Sequence, residues 1–297
     1  MRLCLNDAGL GAPYRNITRA QLQHIYGIGF RLAGMHPDID ATDDDIRKVK
    51  DLFGEVGLEF GPLGVSLSAV RPDSAEERDH LDRIRRHLVI GGKLGCTTLR
   101  YSVGSMNPNN IWNHHPDNHT QRAMDRLVEN TRKLAPIAED NGIALSPETC
   151  HWTIVSTIPR MKEFVDRVDS PYVRIVFDPV NHMTPERVYE SGRFTRCAID
   201  TLGDRIGVLH VKDCQIATGL VCHIDEADVG TGLFDHEAVI RASDRLEPWK
   251  TFSLEHFRNH ELWKPAFDHI QGVADRIGHT WTDPRCSHDR WLRGECK

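Results

Sequence analysis

The chain has 297 residues, 39% of them hydrophobic and 27% charged, an ordinary globular composition. Its net charge of −6 and pI near 6.3 argue against a nucleic-acid binder, whose footprint is basic and clustered, and no apolar run is long enough to span a bilayer. Met1-Arg2-Leu3-Cys4-Leu5 passes straight into polar residues, without the apolar core of a secretion signal. With eight scattered cysteines and no Cys-x-x-Cys pair, the expectation is a cytoplasmic protein with reduced thiols. Leu3-Cys4-Leu5 reads as a first strand, and residues 17–26 as a helix. Phe30 to Met35 forms a second strand ending at His36. Thr42 and Asp45 have capping-box spacing; Ile46, Val49 and Phe53 share one face of the helix behind them. A third strand region reaches about Val70 and contains Gly61, Pro62 and Gly64. Ser74 and Glu77 suggest a second capping box, with Leu81, Ile84 and Leu88 on the buried helix face.

Residues 97–102 form a fourth strand that carries Arg100 and Tyr101 near its end. The Gly/Asn/Pro-rich segment 104–118 is too long for a plain connector and is expected to carry function. A helix from about Thr120 presents Met124, Leu127 and Leu134, with a kink expected at Pro136 and closure at Asn141-Gly142. Residues 143–148 form a fifth strand, and a helix covers 158–168. Val173-Arg174-Ile175-Val176-Phe177 is apolar enough for a strand buried on both faces, and it ends in Asp178-Pro179. Thr184-Pro185 reads as an N-cap followed by proline at the first helical position. Residues 207–212 form the seventh strand, Val229-Gly230-Thr231-Gly232 a turn before a helix over 235–246, and Phe252 to Glu255 the eighth strand. A last helix spans about 261–277, and residues 279–297 form a polar tail without a period, expected to cover a neighbouring subunit.

Strand and helix alternate about eight times, which demands parallel strands because each crossover returns over a helix. The fold class is therefore α/β: a closed (β/α)8 barrel of the TIM type, one domain over residues 1–278 followed by the tail. An open doubly wound sheet is the alternative. No Gly-x-Gly-x-x-Gly follows an early strand, which disfavours a dinucleotide site.

In such a barrel the C-terminal strand ends share one mouth. Four consecutive strands each end in a candidate ligand: Glu148, Asp178, His210 and Glu255. Neighbouring strands lie about 4.8 Å apart, so the four side chains can reach one ion. Three carboxylates and an imidazole suit Mn²⁺ first, with Mg²⁺, Co²⁺, Fe²⁺ or Zn²⁺ as alternatives. Singly each residue has a blander role: Asp178 as a turn cap, His210 as a packed core histidine. Four at the same position in successive strands is the stronger signal.

These residues carry a resemblance. Pro147-Glu148, Phe177-Asp178-Pro179-Val180-Asn181, Leu209-His210-Val211-Lys212-Asp213, Val229-Gly230-Thr231-Gly232 and Leu254-Glu255-His256 are similar to motifs of the xylose-isomerase-like TIM barrel superfamily of sugar and sugar-phosphate isomerases and epimerases. The resemblance implies one divalent metal ion on Glu148, Asp178, His210 and Glu255, with Glu148 and Glu255 also moving protons. It departs from some epimerases at Asn181, where they place histidine, and in residues 213–218, which lack an arginine. Asp213 alone is too little for the second metal of true xylose isomerase, and the acidic chain disfavours the nuclease branch.

The function expected is a divalent-metal-dependent isomerase or epimerase of a sugar or keto-sugar, working through a metal-stabilised enediolate. The alternative is a lyase (dehydratase, decarboxylase or C-glycoside-cleaving enzyme) on an oxidised sugar, with His151 as acid or base. Arg100, Trp112, His114, Lys212 and His36 are the candidate substrate contacts, each with a packing or loop role as its bland counterpart. Cys150 is a weaker candidate ligand. The partners expected are a small carbohydrate and further copies of the chain in a homo-oligomer, a hetero-oligomer staying open, with no nucleic acid and no membrane.

Overall fold

Eight parallel strands close into a barrel in the computed structural model, which describes residues 1–6 and 16–296. They are β1 (Arg2–Asn6), β2 (Leu32–Met35), β3 (Glu59–Ser68), β4 (Thr98–Ser102), β5 (Ala144–Glu148), β6 (Ile175–Phe177), β7 (Ile206–Val211) and β10 (Thr251–Glu255). Around the wall the order is β1-β10-β7-β6-β5-β4-β3-β2. The strands are almost wholly buried because helices cover them outside while their own side chains fill the centre.

The covering helices are α1 (Arg19–Ile28), α2 (Asp43–Val56), α3 (Ser74–Leu94), α4 (Gln121–Asp140), α5 (Ile158–Val168), α6 (Ser191–Leu202), α7 (His236–Ser243) and α8 (Trp263–Ile277). Each turns one apolar stripe inward, as Ile46, Val49 and Phe53 do on α2. The Thr42–Asp45 capping box forms as the spacing requires. None of the described helices is long and apolar enough to cross a membrane.

Several local expectations fail for identifiable reasons. The N-cap of α3 is Asp73, whose carboxylate takes the N–H groups of Ala75 and Glu76. Glu77 instead accepts the Arg71 N–H at 3.0 Å and pairs with Arg126 at 2.9 Å, so it ties α3 to the loop before it and to α4. Helix α6 begins at Ser191, not after Thr184-Pro185. The Thr184 carbonyl accepts from both Arg187 and Val188, which closes one turn before the chain reaches the outer layer. Helix α4 runs on past Pro136 to Asp140.

Between β7 and α7 lies an antiparallel hairpin that the strand–helix alternation conceals: β8 (Asp213–Ile216) and β9 (Ile224–Ala227). Asp213 organises the chain that follows. Its carboxylate accepts four backbone N–H groups, from Cys214, Gly230, Gly232 and Phe234, at 2.8–3.0 Å. A Cβ on Gly232 would lie 2.3 Å from Asp213 Oδ1, so the glycine-rich turn is shaped to reach this carboxylate.

The tail turns under the N-terminal end of its own barrel. Thr282 donates to the Met1 carbonyl, and Arg2 to the Pro284 carbonyl. A short helix, α9 (His288–Leu292), buries His288 against Tyr172 and Trp249. Cys286 and Cys296 form a disulfide around it. The reading of all eight cysteines as free thiols is therefore wrong for these two: α9 reverses the chain and brings their Cα atoms to 5.5 Å.

Candidate metal centre

Glu148 ends β5, Asp178 follows β6, His210 lies on β7 and Glu255 ends β10. These strands are consecutive in the wall, so all four side chains enter the same end of the barrel. One ligand atom from each can be chosen so that all lie within 4.8 Å of one another, and all four residues are buried. Glu148 and Glu255 stand on the outer two strands and flank Asp178 and His210.

Local hydrogen bonds aim the carboxylates. Asp178 Oδ1 accepts the N–H groups of Val180 and Asn181, which leaves Oδ2 for the mouth. The Asn181 side chain donates to Glu148 Oε1 at 3.1 Å, and the Asn6 side chain to Glu255 Oε2 at 3.5 Å. What remains fits a cation. Asp178 Oδ2, Glu255 Oε1 and both ring nitrogens of His210 are buried and make no well-aligned hydrogen bond, Asp178 Oδ2 meeting only the Lys212 ammonium and His210 Nδ1 only carboxylates. His210 Nδ1 is only 2.9 Å from Glu255 Oε2 and 3.6 Å from Glu148 Oε1. Oxygen and imidazole atoms converging in this way match a divalent ion's donor set.

The charges are interdependent. Burial lifts Asp178 to about 6 against the pull of Lys212. Burial also disfavours the charged forms of Glu148 and Glu255, but His210 and nearby cations hold both below the usual carboxylate range. Burial would suppress protonation of His210; Glu255 and Glu148 overcome it and raise the imidazole to about 10. A cation on these four residues would replace that proton.

Lys212 lies beside the group. Its Nζ is 3.0 Å from Asp178 Oδ2, 2.8 Å from Glu226 Oε1 and 3.6 Å from Glu255 Oε1. Burial opposes its charge, yet Asp178 and Glu255 push its pKa well above the usual value, so it stays an ammonium. Glu226 comes from β9 and also meets His256 Nδ1 at 2.9 Å. His256 has φ +60°, a left-handed turn directly after Glu255 that few side chains adopt.

The other sequence candidates separate by position. Arg100 points into the mouth, with Nε 3.6 Å from Glu148 Oε2, whereas Tyr101 faces outward to Thr131, as strand alternation requires. His36 occupies space that a Cβ at Gly64 would take, 2.5 Å from its Cε1. Burial, and then Arg100, lower its pKa to about 4, so the ring is neutral. Trp112 is half-buried in the long loop, and its carbonyl receives Trp152 Nε1 at 2.6 Å. His114 is exposed and lies against His119. His151 is at the exposed rim, its Nδ1 donating to the Asn181 carbonyl at 2.8 Å. Cys150 is buried outside the four-residue group, and burial raises its thiol well above the ordinary range.

Asn6, Glu226 and the hairpin that carries Glu226 escaped the sequence reading. The available signal was Ile216 and Ile224 bracketing Gly219, two short runs that could pair across a turn.

The family model of the xylose isomerase-like TIM barrel matches residues 24–273. The chain belongs to this family. Solved structures agree on the xylose isomerase-like fold. A D-psicose 3-epimerase is 14% identical, with a TM-score of 0.71, over 94% of this chain and 100% of that one. A xylose isomerase-like TIM barrel protein from Mycobacterium smegmatis, solved in complex with magnesium, is 16% identical with a TM-score of 0.68, covering 92% and 95%. The 3-keto-D-glucoside 4-epimerase from E. coli is 14% identical with a TM-score of 0.69, covering 93% and 99%. No curated protein sequence matches the chain significantly.

Proposed function

We propose that the protein is a divalent-metal-dependent isomerase or epimerase of a sugar or keto-sugar. The observation that carries this reading is the placement of Glu148 and Glu255 on either side of Asp178 and His210 at one barrel mouth. Moving a proton between or at carbons next to a carbonyl needs a base on one side and an acid on the other. Glu148 and Glu255 take those roles, each steadied by a carboxamide, Asn181 and Asn6. A divalent cation held by the four residues supplies Lewis acidity that lowers the cost of enolisation. Asp178, fixed by two backbone N–H groups, serves as the anchor and moves no proton. Lys212 and Arg100 offer positive charge to the oxygen that gains charge as the proton leaves. Mn²⁺ is the cation we favour, for its acceptance of mixed carboxylate and imidazole sets.

The test is incubation of the metal-loaded protein with a panel of ketoses and keto-sugars in heavy water. Solvent deuterium at the carbon beside the carbonyl, read by NMR, is expected for the true substrate. Glu148→Gln and Glu255→Gln should each slow exchange by about 10²–10⁴-fold. No exchange across a broad panel would count against the reading. A lyase on the same residues is the second reading, supported by the tie between His151 and Asn181, the partner of Glu148. It predicts cleavage of an oxidised sugar that His151→Ala abolishes.

A further inference from the structure

A cavity of about 360 Å³ opens next to the metal group, between the loops after β5 and β6 and the β8–β9 hairpin. It is joined to the group through two side chains. Asn181 lines it and holds Glu148; Glu226 lines it and holds Lys212. Its volume is within the range of about 300–1,000 Å³ usual for small-molecule sites.

The lining has a definite chemical character. Trp152 offers an aromatic surface, and the bond from its Nε1 to the Trp112 carbonyl fixes the indole. Met183 and Pro185 extend the apolar side. Asp225, Glu226, His151 and His223 supply polar groups, mostly acceptors. Among the described residues, neither lysine nor arginine lines this space. Phosphates and carboxylates are recognised by arginine and lysine forks, and two carboxylates would repel them. A flat apolar face in one cavity with acceptor groups suits a ring with C–H faces and hydroxyl edges.

We infer that this cavity is a subsite for a neutral glycosyl group, so that the substrate is a glycoside or disaccharide whose second ring rests between Trp152 and the hairpin. This deepens the proposed function and rests on it, since the reacting ring is the one at Glu148 and Glu255. The cations, Lys212 and Arg100, stay with the reacting ring. The hairpin thereby gains a purpose: β9 brings Asp225 and Glu226 to the lining of this space.

The experiment is calorimetric titration of the Mn²⁺-loaded protein with α- and β-linked gluco-, galacto- and xylo-disaccharides, each compared with its own monosaccharide. Glucose 1-phosphate is the anionic probe. At least one disaccharide should bind about tenfold more tightly than its monosaccharide, and the phosphate ester no more tightly than glucose. Trp152→Ala and Asp225→Asn should each lower that disaccharide-to-monosaccharide ratio several-fold, while Trp152→Phe, which keeps a ring, should largely preserve it. The inference is overturned if no disaccharide is preferred, if the ratio is indifferent to both substitutions, or if the phosphate ester binds best. Its fate separates from that of the proposed function. Preferred disaccharides without any proton exchange would sink the isomerase reading alone. Equal exchange on free and glycosylated sugars, unaffected by Asp225→Asn, would sink the subsite alone.

Discussion

Lys212 Nζ sits 3.0 Å from Asp178 Oδ2 and 2.8 Å from Glu226 Oε1, so one buried ammonium ties the candidate metal group to a hairpin outside the barrel. It neutralises buried carboxylates, and it also occupies ground from which it repels a dication. These two effects oppose each other, and a single substitution separates them. Lys212→Met should weaken the metal-free protein by about 3–5 kcal/mol, the usual cost of removing one partner from a buried ion pair. It should simultaneously tighten Mn²⁺ binding by about tenfold or more, since one like charge is removed. Urea titration of the metal-free protein reads the first effect and calorimetry the second. Weaker Mn²⁺ binding in the variant would show that Lys212 shapes the ligand set rather than competing with the ion.

Asp178 has both oxygens committed, Oδ1 to two backbone N–H groups and Oδ2 to the mouth. Asp178→Asn keeps its size and loses a charged ligand atom. Activity should then fall in step with bound metal and recover in proportion to occupancy at saturating Mn²⁺. Metal analysis alongside the exchange assay checks this. Full occupancy with no activity would mean that Asp178 takes part in proton transfer, contrary to its assigned role as anchor.

The barrel and its four central residues were legible because both signals repeat. Eight alternating units leave little freedom of topology, and a side chain able to ligate a metal recurs at the ends of four successive strands. Where one residue type can serve two ends, legibility fades. Asp213 reads like a second metal acid after His210, yet its four backbone bonds make it a scaffold for the turn. Ser74 and Asp73 are both good caps, and only the chain geometry selects Asp73. The β8–β9 pair is two strands of four residues, mostly exposed beyond Asp213 and Cys214, too short and too polar for a periodic signal. The Cys286–Cys296 pairing depends on α9 turning back, which spacing does not encode.

Asp213→Ala tests the scaffold role. Four charge-assisted bonds vanish, and the N–H groups of Cys214 and Phe234 lose their acceptor inside the protein. A loss on the order of 3 kcal/mol is expected, allowing for solvent reaching part of the turn. Limited proteolysis should find new cleavage within residues 213–234. Unchanged melting and no new cleavage would mean that Asp213 does not hold the turn together.

His288 links the tail to acid stability. It is 1% exposed, between Trp249 and Tyr172, and neither ring nitrogen has a hydrogen-bond partner. Burial, reinforced by Arg174 and Lys250, lowers its pKa to about 3. In the unfolded chain it titrates near 6.5. Between those values the unfolded chain carries the extra proton, so the stabilising contribution is whole above about pH 6.5 and drains away as pH falls toward 3. One such group costs at most about 1.4 kcal/mol per pH unit in that window. His182, His236 and His36 are shifted the same way, to about 3, 4 and 4, with burial the leading cause for each, so the wild-type slope reflects several protons. His288→Leu keeps the apolar contacts and removes one of them. Urea unfolding of the metal-free protein at pH 7, 6, 5 and 4 should show a shallower loss of stability for the variant, by up to one proton's worth. Identical slopes would mean that the tail opens and hydrates His288 before the barrel unfolds.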